Sequence, residues 1–293
     1  MGRIHACVGL LLAVVGLGVA CSGPDDGAAP VATPSLVMRD AAAVGSPVEM
    51  IYRFEVATDV PPIGNDYRVF VHFLDADGGL MWTDDHEPAT PTSHWTPGLA
   101  VEYTWTHFIP RFPYVGETRV EIGLYSAATG ERLPLAGDTL GLRSYQVATF
   151  DLRLQSENSL VVFGEGWHAA ESEGSLGGLE WQWSMREATL SFSNPGRDVQ
   201  FYLQLDQPAA VFTEPQQVRV SLGAEVIDEF ALLSGPIELR RMTIPASSLG
   251  AEQAVDLTIS VDRTFVPASA PALSSDDSRE LGVRVFRAFV QPS

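Results

Sequence analysis

The stretch best equipped for chemistry runs from residue 163 to residue 183. It holds Trp167 and His168, then Glu171 and Glu173, then Trp181 and Trp183. Indole rings stack on the apolar C–H faces of sugars, while carboxylate and imidazole groups bond the hydroxyls. The set Trp167, His168, Glu171 and Trp181 therefore reads as a saccharide platform. The competing use of the aromatics is packing. Trp181 and Trp183 lie two residues apart and share one strand face, and Trp183 reads as core. Trp167 follows Gly164-Glu165-Gly166 in a loop-like context and is the better candidate for exposure.

Catalytic patterns are weaker. Glu165, Glu171, Glu173 and Glu180 offer the two carboxylates a glycosidase needs, but acidic residues are abundant along the whole chain. Glu173-Gly174-Ser175-Leu176-Gly177 lacks the first glycine of a nucleophile elbow. No phosphate loop or dinucleotide fingerprint is present. No catalytic residue is assigned, and the chain reads as non-enzymatic.

His72, His86, His94 and His107 fall near Asp75, Asp84 and Asp85, a composition that suits a divalent metal. Their spacing matches no ligand pattern, and Pro88 argues against a helix carrying His86. The structural alternative has His72 facing outward, or paired with an Asp of the next strand. Asp75-Ala76-Asp77-Gly78-Gly79 begins like a calcium loop. Its fifth position is Gly79 and its twelfth is His86, where acidic or amide ligands belong, so a hairpin turn is expected. No metal and no cofactor is called for. In Asp276-Asp277-Ser278-Arg279-Glu280 an Asp–Arg pair is expected to fix the start of the last strand, with a ligand-touching loop as the alternative.

Strands must position these residues. Apolar residues occupy the even positions of Val48–Val56, and period-two alternation recurs at Tyr67–Leu74, Leu80–Thr83, Val101–Thr106 and Arg119–Leu124. Clusters of Gly, Pro, Asp and Asn separate these runs. A second series follows at Glu187–Ser193, Val199–Asp206, Gln217–Leu222, Val226–Leu232, Ile237–Ile244, Val255–Val261 and Val283–Val290. The expected fold is all-β, with two antiparallel β-sandwich domains. The first, residues 36–150, is immunoglobulin-like. The second, residues 151–293, is jelly-roll-like, with about eight strands. Residues 151–159 are more polar and suit the boundary.

The amino terminus reads as an address. Arg3 precedes a small and apolar run from Ala6 to Ala20. That is the length of a signal-peptide core and too short to span a bilayer, which takes roughly 20 residues. Residues 1–20 are thus a signal peptide, and residues 21–35, rich in Gly, Pro, Ala and Asp, are a flexible tether. Leu17-Gly18-Val19-Ala20-Cys21 resembles the bacterial lipobox, departing from it at Gly18, where Leu is usual. The resemblance implies cleavage before Cys21, lipidation of that residue, and membrane attachment through the lipid. In a Gram-negative host, Ser22 in the following position implies the outer membrane. The alternative is an ordinary secretory signal that leaves Cys21 as a free thiol. With Cys7 inside the leader, the mature chain holds one cysteine and no internal disulfide, which acylation would account for.

The formal net charge is −19, and all 18 basic residues are arginine. So acidic a chain is poorly suited to nucleic acid or to an anionic membrane surface. The lack of lysine excludes Schiff-base chemistry.

Two blocks resemble a known group. The first is Tyr67–Gly78 with Asp84-Asp85-His86, Trp95-Thr96-Pro97-Gly98, Gly123-Leu124-Tyr125 and Thr129–Leu135. The second is Phe163-Gly164-Glu165-Gly166-Trp167-His168 with Glu171, Trp183, Phe265-Val266-Pro267-Ala268 and Asp276–Val283. They are similar to the non-catalytic β-sandwich modules beside multi-pass glycosyltransferases of the mannosyltransferase type. The resemblance implies a fold and a link to envelope glycans, not a reaction. The resulting expectation is an exported, lipid-anchored, non-catalytic protein of the cell envelope that binds polysaccharide. The alternative is a structural or protein-interaction component of an envelope complex, with no small-molecule ligand.

Overall fold

The computed structural model describes residues 27–139, 141–156, 160–173, 179–207, 211–212, 214–235 and 237–292. The expected signal peptide and Cys21 lie outside the described residues. No described helix is long and apolar enough to cross a membrane.

The chain is all-β, built as two sandwiches. The first contains β1 (Ala32–Val37), β2 (Ala41–Ala43), β3 (Pro47–Val56), β4 (Arg68–Leu74), β5 (Leu80–Thr83), β6 (Ala100–Phe108), β7 (Gly116–Tyr125) and β8 (Tyr145–Arg153). A three-stranded sheet, β1-β3-β6, faces a five-stranded sheet, β2-β8-β7-β4-β5. All pairs are antiparallel except β2 with β8. The alternation of β3 is realised residue by residue. Val48, Met50, Tyr52, Phe54 and Val56 are buried, while Ile51, Arg53 and Glu55 are exposed. They meet Val69, Val71 and Phe73 of β4 and Val120, Ile122 and Leu124 of β7 in one core.

The second sandwich holds β9 (Val161–Phe163), β10 (Glu171–Glu173), β11 (Leu179–Trp183), β12 (Glu187–Ser193), β13 (Val199–Asp206), β14 (Gln216–Leu222), β15 (Glu225–Leu232), β16 (Glu238–Ile244), β17 (Ala254–Val261) and β18 (Arg284–Pro292). Sheet β10-β11-β18-β13-β16 faces sheet β15-β14-β17-β12-β9. Phe201, Leu203 and Leu205 of β13 and Val218 and Val220 of β14 pack inside with Leu190, Leu257 and Ile259. A bulge in β18 opposite Gln204/Leu205 shifts the register.

Two boundaries differ from the sequence reading. β1 begins at Ala32, inside the expected tether, because Ala32 and Leu36 fill the edge of the first core. β8 runs to Arg153, past residue 150, because Leu152 is buried in that same core. The Asp75–Gly79 segment is the expected hairpin turn between β4 and β5. Gly78 has φ +85° and Asp75 Oδ1 accepts the backbone N–H of Asp77 and of Gly79.

The sandwiches touch along the outer face of the second. Phe108 at the end of β6 packs on Tyr202, Phe289 and Leu239, and Glu49 pairs with Arg241.

Candidate functional site

Consecutive residues of an extended strand point to opposite faces, and this decides which of the four predicted ligand residues meet. Glu171 of β10 lies directly across from Trp181 of β11, so both are on the outer face of the sheet. His168 joins that edge. Its backbone N–H bonds the Trp183 carbonyl, and its Nε2 lies 2.8 Å from the Glu280 carbonyl. Trp167, one residue earlier, turns the other way. Its indole N–H donates to the Thr189 carbonyl at 2.8 Å, and its ring meets Phe163 edge-on at 4.8 Å against the second core. The sequence reading placed Trp167 as the exposed ring. In the structure it is half-buried and spends its polar atom on β12. Trp183 is buried as expected, but on the same outer face as Trp181, where Phe265 meets its ring edge-on at 5.7 Å.

The Trp181 edge is organised by two arginines. Arg279 is held by Asp277 through its backbone N–H, Nε and Nη2, at 2.7–3.0 Å. Its Nη2 also lies 2.7 Å from Glu171 Oε1, a charge contact not aligned as a hydrogen bond. Those hydrogen bonds from Arg279 hold the Asp277 carboxyl low, at about 2. The same two carboxylates raise the Arg279 guanidinium. The expected Asp–Arg pair is therefore present, and it ties the segment before β18 to β10. Arg284 makes a two-pronged bond to Asp206, 2.9 and 2.6 Å. Its guanidinium lies 4.9–5.6 Å from the ring centroids of Trp181, Trp183 and Phe286. Cation–π contact thus fixes the Trp181 ring from one side. The Trp181 N–H is buried and has no acceptor among the described residues, an uncommon state for a buried indole. The partly exposed ring and the flanking charged groups are the parts a sugar contact uses.

The four glutamates weighed for hydrolysis do not converge. Glu171 is engaged by Arg279, whereas Glu180 precedes Trp181 and lines a cavity with Arg287 and Phe163.

His86 and His107 of the first sandwich join a seam of aromatic and acidic side chains; among the described residues no group of three or more His, Cys, Asp or Glu is placed to hold a metal. Edge strand β6 presents Tyr103, Trp105 and His107 inward, in register with Tyr52, Met50 and Val48. They meet residues 84–86, which continue from β5. Asp84 Oδ1 lies 3.0 Å from His107 Nδ1, and Asp84 Oδ2 accepts the Trp105 N–H at 2.9 Å. His86 stacks on Trp105 at 4.6 Å. Its Nδ1 lies 3.0 Å from the Asp84 carbonyl, which can only accept, so Nδ1 carries the proton. Nε2 then accepts from the Tyr103 hydroxyl at 2.9 Å. Burial lowers the His86 pKa, outweighing the pull of Asp84, and burial raises the Tyr103 phenol. His72, expected outward or paired, lies on the outer face beside Phe70, at 4.7 Å between rings. The Asp pairing belongs to His107 instead. Sequence spacing could not reveal it, because β5 and β6 are neighbours only across the two sheets.

No family model matches the chain, and no curated protein matches it. Among solved structures it is similar to the N-terminal CBM22-1-CBM22-2 tandem domain from Paenibacillus barcinonensis Xyn10C. That likeness has 8% identity over 88% of this chain and 93% of the other, with a TM-score of 0.25. It is also similar to the CBM51-2 and INT domains from Clostridium perfringens ZmpB, at 8% identity over 87% and 48%, TM-score 0.26. A third is Bacteroides uniformis beta-glucuronidase, at 8% identity over 89% of this chain and 30% of that one, TM-score 0.30. The chain thus spans less than a third of the glucuronidase's own length. Likeness this slight transfers neither a ligand nor a reaction, and the all-β architecture stands on the strand pairing itself.

Proposed function

We propose that this chain is a non-catalytic glycan-binding protein of the cell envelope, exported by its leader and anchored through lipid on Cys21. The Trp181 edge carries the binding half of the reading. There a half-buried ring is held between Arg284 and the Glu171–Arg279 pair, at the edge His168 joins. The leader and the single cysteine of the mature chain support the anchoring half. With β1 starting at Ala32, residues 22–31 reach at most about 35 Å. Such a tether keeps the first sandwich near the bilayer, which is the outer membrane if the host is Gram-negative. The two sandwiches serve as two domains, divided after Arg153.

The test is binding of the full chain to cell-wall polysaccharides and exopolysaccharides. Trp181→Ala loses binding, while Trp167→Phe retains it. Absence of binding to every saccharide, or binding indifferent to Trp181, refutes the reading. For the anchor, Cys21→Ser shifts the protein from the membrane to the soluble fraction and abolishes acyl labelling.

A second reading, a component of an envelope complex, draws on an exposed apolar pair. Val37 of β1 and Ile51 of β3 are direct cross-strand neighbours, both exposed. Affinity capture from native membranes that recovers the protein alone counts against it.

A further inference from the structure

Where the two sandwiches meet, a cleft of about 300 Å³ opens between Gly45 and Arg111 of the first and Phe163, Glu180 and Arg287 of the second, with Gln155 of the segment after β8 on its wall. Arg111 follows β6, and Arg287 projects from β18 on the same face as Gln204. The two guanidiniums repel each other: burial and the nearby Arg111 both lower the Arg287 pKa, with Glu180 opposing. Arginine does not release its proton in response. Among the described residues, neither has a carboxylate within ion-pair distance. Elsewhere in this acidic chain, Arg53, Arg219, Arg240, Arg279 and Arg284 each hold one. Arg287 has instead the face of Phe108, 5.6 Å away. A half-buried guanidinium beside a second, exposed one is costly, and Glu180 offsets this only from beyond ion-pair distance. A chain with 37 acidic residues and 18 basic ones has ample means to neutralise it.

We propose that this cleft binds an oxyanion gripped by Arg111 and Arg287, and that the oxyanion is the carboxylate of an acidic sugar. Planar guanidiniums bond carboxylate, sulfate and phosphate oxygens in pairs. The remaining lining suits a sugar ring: Phe163 and Phe286 offer apolar surface, and Glu180 offers a partner for hydroxyls. The cleft is at the small end of ligand sites, about 300–1,000 Å³, which fits one ring rather than a chain. The sugar assignment rests on the glycan reading above; the oxyanion assignment does not.

The test is calorimetric titration of the full chain in detergent with glucuronate, glucose, inorganic sulfate and inorganic phosphate. Glucuronate binds saturably, with a Kd on the order of 1 mM, and glucose does not bind. Arg111→Ala weakens glucuronate at least about tenfold. Because Arg111 is exposed, this variant does not threaten folding. Arg287→Met abolishes binding and, by removing an unpaired charge, leaves the melting temperature equal or higher. Sulfate or phosphate binding without glucuronate binding overturns the sugar assignment and leaves an inorganic oxyanion as the occupant. If no anion binds, if glucose binds as well as glucuronate, or if Arg111→Ala changes nothing, the site is refuted. Failure of the Trp181 edge is read separately, from neutral polysaccharides and Trp181→Ala.

Discussion

Asp206→Asn should destabilise the second sandwich more than any other single isosteric change on its outer face. The Asp206 side chain is 5% exposed and that of Arg284 is 29% exposed. They share two charge-assisted hydrogen bonds, and the aromatic rings of Trp181, Trp183 and Phe286 surround the guanidinium. Removing one partner of a fully buried pair costs about 3–5 kcal/mol, because the other charge stays behind uncompensated. Here the arginine head retains some water and its cation–π contacts, which lowers the expected cost to about 2–3 kcal/mol. Urea unfolding followed by tryptophan fluorescence measures it. With a slope of about 1–3 kcal/mol/M, the midpoint falls by roughly 0.7–3 M. The double variant Asp206→Ala with Arg284→Met leaves no stranded charge. It should be more stable than the sum of its two single changes requires, with a coupling of at least about 1 kcal/mol. A cost under about 1 kcal/mol for Asp206→Asn, or strict additivity in the cycle, refutes the argument that this pair is effectively desolvated. The consequence reaches the candidate site, because Arg284 steadies the Trp181 ring.

Other expectations are equally direct. Gly123→Ala drives a methyl into the Phe70 ring and to 2.7 Å from the Arg143 carbonyl. It should lower stability by about 1–3 kcal/mol in the same urea assay. Gly166→Ala is worse, because the new carbon overlaps the Glu187 carbonyl and φ is +79°; a loss above about 2 kcal/mol is expected, read as a lower melting temperature. His86 is buried neutral, so its folded pKa lies below the unfolded value of about 6.5. The unfolded chain then binds more protons as pH falls below 6.5, and stability declines with acid at up to about 1.4 kcal/mol per pH unit until the folded pKa is reached. Melting curves between pH 7.5 and 5 should slope less in His86→Gln; an unchanged slope rejects that assignment. Burial lowers His72 with the same sign, so part of the slope survives.

Period-two alternation was enough to find the long strands. β3, β4, β12, β13 and β17 fall within two residues of their expected bounds, because an amphipathic strand shows its two faces in local sequence. β2, β9 and β10 are three residues each and too short to display a period. β1 is composed like a linker, and only its pairing with β3 makes it a strand. Of the four residues proposed from composition as a saccharide platform, His168, Glu171 and Trp181 share one edge. Trp167 left it because adjacent strand residues face opposite ways, a phase that no residue count supplies when the preceding turn is irregular. Local order along the chain thus determined that this protein is β-rich, and it alone carries the resemblance of Leu17–Cys21 to a lipobox. Tertiary structure decided which charges meet: Asp206 with Arg284, Asp84 with His107, and Arg111 near Arg287 with no carboxylate in ion-pair distance of either among the described residues. These partners are separated by tens of residues or more, and only the packing of sheets brings them within reach.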